Sequence, residues 1–241
     1  MKNISLIAST VALMSVGAAH AQPATAPSRE VARAQAEGDR LLKAASAEDV
    51  FSNETARQGS SAIALRHKAS GYLCLFNPGK VGNGVSVHPG GQRGEAVSCF
   101  TETFMGRDSR FISRWDGPLR EAVGAATTGL LKAHEGRIDG DVDVSLSERF
   151  PADASAPVYA AVAFKTAQTY ERAVFFPMDG WVVEGRLTAP RAAENAAKGM
   201  MDRMVYTGVS ERNRTLGASA PSSATPWRSP SSSRREVPTR F

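Results

Sequence analysis

The sequence predicts an α+β fold, in which a largely antiparallel sheet of about six to eight strands is covered by two helices, with a further helix on the surface at the N-terminal end. Three observations predict this architecture. Short β-type segments follow one another in two runs, at residues 62–115 and 138–188. Helical patterns stand between and after these runs, at residues 117–135 and 190–206. Asp179-Gly180 is a strong hairpin signal.

The first 21 residues have the pattern of a secretory signal peptide. A short basic start precedes an apolar run from Ile4 to Ala19, and Ala19-His20-Ala21 is a small-x-small cleavage site. The run is shorter than the roughly 20 residues that span a bilayer, and no later stretch approaches that length. We therefore expect cleavage near Ala21, no transmembrane segment, and a periplasmic or secreted protein.

The rest of the chain divides into a linker (22–27), a single α+β domain (28–209) and a C-terminal tail (210–241). Serine, proline and arginine dominate the tail. Such a composition buries too little apolar area to offset the entropy of ordering, so the tail is predicted to be disordered.

The charge of the chain is concentrated at its ends. The formal net charge is +5; Lys2 contributes +1, and the tail contributes +4, because its six arginines are offset by two glutamates. Nucleic-acid binding requires a basic patch on the folded face, so the neutral domain predicts none. For the tail we expect only weak contact with anionic surfaces.

The domain begins with a helix over residues 28–46, which Ser28 caps and Glu30 supports in the first turn. Its apolar content is thin, and Gly38 weakens its middle. We expect a surface helix that docks mainly through its end, at Leu41 and Leu42.

Strands and two later helices are predicted along the remaining domain. The predicted strands are Ala62–Arg66, Tyr72–Phe76, Gly84–His88, Ala96–Thr103, Arg110–Trp115, Ile138–Ser147, Val158–Thr166, Thr169–Phe176 and Trp181–Thr188. In Ile138–Ser147, aliphatic residues alternate with acidic residues and serines, which predicts a half-buried strand. Asp116 is expected to cap the helix that Pro118 opens, and Pro190 opens the last helix.

Cys74 and Cys99 are predicted to form a structural disulfide. They are the two cysteines of the chain and lie on strands that are able to pair. In an exported chain such a pair stabilises the fold by about 3 kcal/mol in the chain-entropy model. A reactive thiol is not expected, since CxxC is absent and no activating base is evident.

Metal and cofactor motifs are absent from the sequence. His67 and His88 have no close-spaced third ligand, as zinc would require. The glycine loop 79–84 leads into a strand, whereas a phosphate-binding loop leads into a helix. The aspartates at 139, 141 and 143 lack the glycine and glutamate of a calcium loop. We predict no cofactor and no catalytic residue.

Aromatic residues in the predicted strands Thr169–Phe176 and Trp181–Thr188 suggest a binding site for a small apolar ligand. Core packing is the default explanation of Tyr170 and Trp181, and the alternative is that they line a ligand pocket between sheet and helix. His67, Lys80 and His88 are expected at its rim, beside the glycine loops.

Two segments resemble known proteins. RHKASGYLC (66–74) resembles an R-H-K-x-S-G-x-x-C segment of uncharacterised exported bacterial proteins, and GWVVEGRLTAP (180–190) with its following helix is similar to their ending. The order of three strands and a final helix is similar to PsbP-like domains. The resemblance implies one exported α+β domain with a disulfide, and it implies no catalytic residues.

The sequence is therefore interpreted as that of an exported, non-catalytic envelope protein that binds a protein partner or a small apolar ligand. One alternative is a periplasmic hydrolase that uses His67 or His88 with a nearby carboxylate, such as Glu95 or Glu102. Another alternative is a purely structural envelope component.

Overall fold

A computed structural model of the chain describes residues 28–58, 61–104, 106–149 and 158–219. The predicted signal peptide and most of the predicted tail lie outside these ranges. The helices are α1 (Arg29–Ala44), α2 (Thr55–Gln58), α3 (Leu119–Ala133) and α4 (Glu194–Ser219), the last preceded by a 3-10 turn at Arg191–Ala193. Within the described ranges, no helix is long and apolar enough to cross a membrane.

The strands form two antiparallel sheets. The smaller sheet contains β1 (Phe51–Asn53), β2 (Ile63–His67) and β3 (Leu73–Phe76) in that order. The larger sheet contains β4 (Gly84–Val87), β5 (Ala96–Thr103), β6 (Gly106–Arg114), β7 (Asp143–Glu148), β8 (Tyr159–Lys165), β9 (Thr169–Met178) and β10 (Trp181–Pro190). Its strand order is β4-β5-β6-β10-β9-β8-β7. The predicted α+β class is confirmed, with a large sheet of seven strands and a separate small one.

Helices α3 and α4 cover opposite faces of the larger sheet. Alternate residues of a strand point to opposite faces. On β9, Val174 belongs to the same buried cluster as Met201 of α4, whereas Phe175 belongs to the cluster that contains Val123 of α3. The main core lies on the α4 face, where the smaller sheet and α1 also pack.

The predicted disulfide joins the two sheets. Cys74 lies in β3 and Cys99 in β5, and their Cα atoms are 6.2 Å apart, within the range that a disulfide spans. The two strands are not neighbours in one sheet, so the cross-link holds one layer against the other. Both cysteines are fully buried.

Helix α1 has the predicted N-terminus, because the side chain of Ser28 accepts a hydrogen bond from the Val31 amide. The expectation that it docks mainly through its end is wrong, since buried residues follow its whole length. A Cβ added at Gly38 would lie 2.6 Å from Nδ2 of Asn53. The same Nδ2 donates to the Gln35 carbonyl at 2.8 Å, so glycine allows β1 to approach the helix closely.

Helix α4 runs beyond the predicted end of the domain. The sequence placed a disordered tail from Ser210, but the helix continues to Ser219. Arg212 contributes to this difference, because its Nε donates to the carbonyl oxygen of Ser70 at 2.7 Å and thereby attaches the extra turns to the turn between β2 and β3. Residues 220–241 of the predicted tail lie outside the described residues.

Two further local predictions are corrected. The aliphatic residues of the predicted strand Ile138–Ser147 are not all buried, since Val144 and Leu146 of β7 are 49% and 53% exposed. The reason is that β7 is an edge strand, and α3 packs on β8 and β9 instead. The residue before α3 is Pro118, without a side-chain cap, and Asp116 pairs with Arg114 at 3.6 Å.

Candidate functional site

His67 and Trp181, two of the predicted rim and pocket residues, lie together in the core. Their rings meet edge to face with centroids 5.2 Å apart, and Phe51 lies 5.3 Å away on another side of the imidazole. His67 is fully buried, and its Nδ1 is 2.8 Å from the hydroxyl of Ser70. Burial lowers the pKa of His67 to about 4, so the ring is neutral and structural near pH 7.

The other three predicted residues lie elsewhere. Lys80 is exposed in the turn between β3 and β4. His88 follows β4 and pairs through Nε2 with the Ser98 hydroxyl at 2.9 Å. Tyr170 is buried on the α4 face, where burial raises its pKa. The five residues therefore do not converge on one pocket.

The carboxylates proposed for a hydrolase also take other partners. Glu95 accepts a hydrogen bond from the Gln92 amide at 2.7 Å, and Glu102 packs beside Gly82. In the described part of the chain, the hydrogen bonds of the His67 and His88 rings go to serines rather than to these carboxylates.

A buried ion pair fastens α4 to the larger sheet. The guanidinium of Arg172 on β9 donates two parallel hydrogen bonds, each 2.9 Å long, to the two carboxylate oxygens of Asp202. The Tyr159 hydroxyl on β8 donates to the same carboxylate at 2.8 Å. These three side chains satisfy one another and leave no free group for a ligand.

A second buried pair lies between the two sheets. Arg110 and Asp108 of β6 form an ion pair at 3.3 Å, and both side chains are almost completely enclosed. Burial raises the pKa of Asp108 and raises that of the nearby Tyr72 to about 12. This cluster has no access to solvent and belongs to the core.

A cavity of about 220 Å³ opens on the opposite face, between the C-terminal end of α3 and the larger sheet. Its apolar wall consists of Leu130 and Ala133 from the helix, and Phe164 and Ala173 from the sheet. Its polar groups are supplied by His134, Glu171, Arg186 and Thr188.

The strand register brings the central residues of this cavity into one row. Phe164 of β8 is paired with Glu171 of β9, and Glu171 is paired with Thr188 of β10. Directly opposite residues of antiparallel strands place their Cβ atoms about 5 Å apart on the same face. An aromatic ring, a carboxylate and a hydroxyl therefore stand side by side beneath the end of α3.

Glu171 is the acidic residue in the lining of the cavity, and it is buried, at 7% exposure. Its Oε1 accepts a hydrogen bond from the Thr169 hydroxyl at 2.8 Å, and its Oε2 accepts one from the Thr188 hydroxyl at 2.6 Å. Across the described residues no cationic side chain forms an ion pair with it, although a buried carboxylate usually has one.

His134 closes the other side of the cavity. It is the residue that ends α3, and its ring packs edge-on against Phe164 with centroids 5.1 Å apart. Its Nδ1 is shielded from solvent and makes no hydrogen bond within the described chain. The sequence placed His134 in the last turn of the helix but gave it no part in a site.

Glu171 was also missed, although the sequence carries a signal for it. Along β9 it shares a face with Ala173 and Phe175, so it is a charged residue on an otherwise apolar side of a central strand. A charge at such a position requires a partner, and the sequence alone does not show where the partner would come from.

The fold and this cavity define an α+β protein with a two-sheet core and a ligand-sized cavity on the outer face of its larger sheet. No protein-family model matches the chain, and no curated protein sequence matches it. Among solved structures, the chain is similar to the solution structure of cyanobacterial PsbP (CyanoP) from Synechocystis sp. PCC 6803, at 15% identity and a TM-score of 0.41. The likeness covers 59% of this chain and 88% of that one.

Proposed function

We propose that the protein is a non-catalytic binding protein that holds a small molecule in the cavity between α3 and the larger sheet. The observation that carries this proposal is the cavity itself, whose lining combines apolar side chains with a small number of polar groups. Ligand sites in proteins combine these two kinds of surface, the first for affinity and the second for orientation.

The size of the cavity limits the ligand. An apolar cavity of roughly 150 Å³ in another protein binds benzene, and drug-sized ligands occupy about 300 to 1,000 Å³. At about 220 Å³, this cavity has room for one ring or a short branched chain with a single polar group.

Binding is favoured over catalysis by the state of the polar groups. Nucleophilic catalysis needs a nucleophile within hydrogen-bond reach of a base that a third group orients. Glu171 accepts from two threonine hydroxyls, and His134 is held by Phe164 without an orienting carboxylate among its described contacts. This arrangement suits a ligand's polar group better than a reacting atom.

An exported location is part of the proposal, and the disulfide between Cys74 and Cys99 supports it. Disulfides persist in oxidising compartments and are rare where thiols are kept reduced. Mass spectrometry of the protein isolated from its native cell envelope tests this part, because the mass shows whether the chain has been cleaved near Ala21. Recovery of an uncleaved chain from the cytoplasm would contradict it.

The binding proposal is tested with three probes of one shape, benzylamine, benzyl alcohol and benzoate, in ligand-observed saturation-transfer NMR. Ala133→Trp places an indole over the cavity mouth, and Ala125→Trp is the matched control on an exposed position of the same helix outside the cavity. At least one probe is expected to bind the wild type and Ala125→Trp but not Ala133→Trp. Binding of none of the probes to the wild type, or equal binding to both variants, would overturn the proposal.

A further inference from the structure

We propose that the ligand is a small organic cation, an ammonium group on a compact apolar body, with the ammonium bound by Glu171. This inference rests on the proposed function. It concerns only the chemistry of the ligand that the cavity accepts.

Glu171 has free hydrogen-bond acceptor positions. An ionised carboxylate offers about four lone-pair sites, and two are taken by the hydroxyls of Thr169 and Thr188. A buried charge is stable only when it is paired as well as hydrogen-bonded. Since no ion pair of Glu171 exists in the described part of the structure, a cation in the cavity would supply the missing partner.

The arginine side chains around the cavity are already paired with carboxylates other than Glu171. Arg172 borders the cavity, but its guanidinium binds Asp202 on the opposite face. Arg186 forms an ion pair with Glu184, and its guanidinium lies over the Phe111 ring at 4.9 Å. Arg172 and Arg186, which line the cavity, are thus paired with other carboxylates. The negative charge of Glu171 therefore has no counter-charge among the described arginines of the cavity lining.

The remaining groups fit the two ends of such a ligand. Phe164 stands beside Glu171 in the strand register, and an aromatic face next to a carboxylate favours an ammonium group through both interactions. The Nδ1 of His134, which has no described partner, is available for one more hydrogen bond. Leu130 and Ala133 then cover the apolar body.

A metal ion suits this donor set less well than an organic cation. A zinc site has either four protein ligands, or three protein ligands and a position for water. In the described residues, no group of three or more His, Cys, Asp or Glu side chains is placed to hold a metal. The carboxylate of Glu171 and the hydroxyl of Thr188, which both line the cavity, suit the N–H donors of an ammonium group better.

The test compares the dissociation constants of benzylamine, benzyl alcohol and benzoate at one ionic strength, for the wild type, Glu171→Gln and Glu121→Gln. Glu121 is an exposed residue in the first turn of α3, so its variant removes the same charge without touching the cavity. The wild type and Glu121→Gln are expected to bind benzylamine at least about tenfold more tightly than benzyl alcohol. Glu171→Gln is expected to lose this preference.

The outcomes separate the two proposals. If benzyl alcohol or benzoate binds as tightly as benzylamine, the cation inference is overturned while the binding function stands. If none of the three binds, the binding function fails, and the inference fails with it. If Glu171→Gln does not fold, the inference is tested on the wild type. Intermolecular NOEs are expected between the benzylamine methylene and the Thr188 methyl group. Their absence in the saturated complex would contradict binding of the ammonium group at Glu171.

Discussion

Arg172 and Asp202 form a bidentate ion pair that bridges β9 and α4, with both hydrogen bonds at 2.9 Å. Their side chains are only 3% and 10% exposed. This pair adds a directional contact to the apolar packing of α4, in which Ala197, Met201, Val205 and Val209 are buried.

Loss of one member of this pair is predicted to destabilise the protein strongly. Asp202→Asn leaves the Arg172 guanidinium buried without a counter-charge and weakens the bond from Tyr159. Removal of one partner of a buried pair costs about 3–5 kcal/mol, which urea denaturation would measure. Asp49→Asn is the control, since the ion pair of Asp49 with Arg93 is exposed and should have no measurable effect. Equal midpoints for both variants would show that the buried pair does not hold the helix.

His67 is predicted to make stability depend on pH between about 6.5 and 4. Burial lowers its pKa to about 4 in the folded protein, whereas an unfolded histidine titrates near 6.5. The unfolded chain thus binds a proton first, so the contribution is complete above pH 6.5 and is lost as the pH falls toward 4. The loss at the lower limit is about 3 kcal/mol.

The measurement is the free energy of unfolding from urea titrations at intervals of pH, on the wild type and two variants. His67→Gln should flatten the slope between pH 6.5 and 4. His88→Gln is the control for the substitution itself, at a half-buried ring that pairs with Ser98. A slope that persists in His67→Gln would assign the pH dependence to other groups.

Two helical glycines are predicted to respond to alanine with opposite signs. At Gly38 a Cβ would lie 2.6 Å from Asn53, whose side chain bonds to the helix backbone, so Gly38→Ala should destabilise by about 1–3 kcal/mol. At Gly124 a Cβ meets nothing within 4 Å, and alanine should stabilise α3 by up to about 1 kcal/mol. Thermal unfolding of both variants distinguishes them, and a stabilising Gly38→Ala would contradict the close contact of α1 with β1.

Elements with a strong local pattern were predictable from the sequence. The hairpin of β9 and β10 was found because long alternating segments flank Asp179-Gly180, and the structure pairs Met178 with Trp181 across that turn. Strand β1 was missed, since three residues are too few for an alternation to be recognised. The position of α1 was misjudged for a different reason: Ala34 and Gly38 are small, and their burial depends on the close approach of β1.

Features that depend on strand register were not predictable in the same way. Cys74 and Cys99 suggested a disulfide by their number and setting, but the sequence did not show that they belong to different sheets. The cavity depends on Phe164, Glu171 and Thr188, which are separated along the chain and meet only because β8, β9 and β10 are neighbours. Aromatic residues drew attention to the late strands, yet Trp181 points to the α4 face and the cavity lies on the other.

The extra turns of α4 are predicted to contribute to stability through Arg212. Its guanidinium donates to the Ser70 carbonyl, and its aliphatic stem packs on Gly71, where a Cβ would lie 3.2 Å from Cγ. Arg212→Ala removes a charge-assisted hydrogen bond and should cost about 1.5–3 kcal/mol in urea denaturation. Arg214→Ala is the matched control, because that side chain is 69% exposed and pairs only locally with Glu211, so a change within about 0.5 kcal/mol is expected.

A truncation extends this prediction to the limits of the folded domain. If the domain ended at Val209, a chain that stops there would be as stable as the full-length protein. Because Arg212 fixes the helix to the turn between β2 and β3, the chain ending at Val209 should unfold at lower urea concentration, whereas one ending at Ser219 should match the full length. Equal stability of all three chains, together with a neutral Arg212→Ala, would place the end of the stable domain before Ser210.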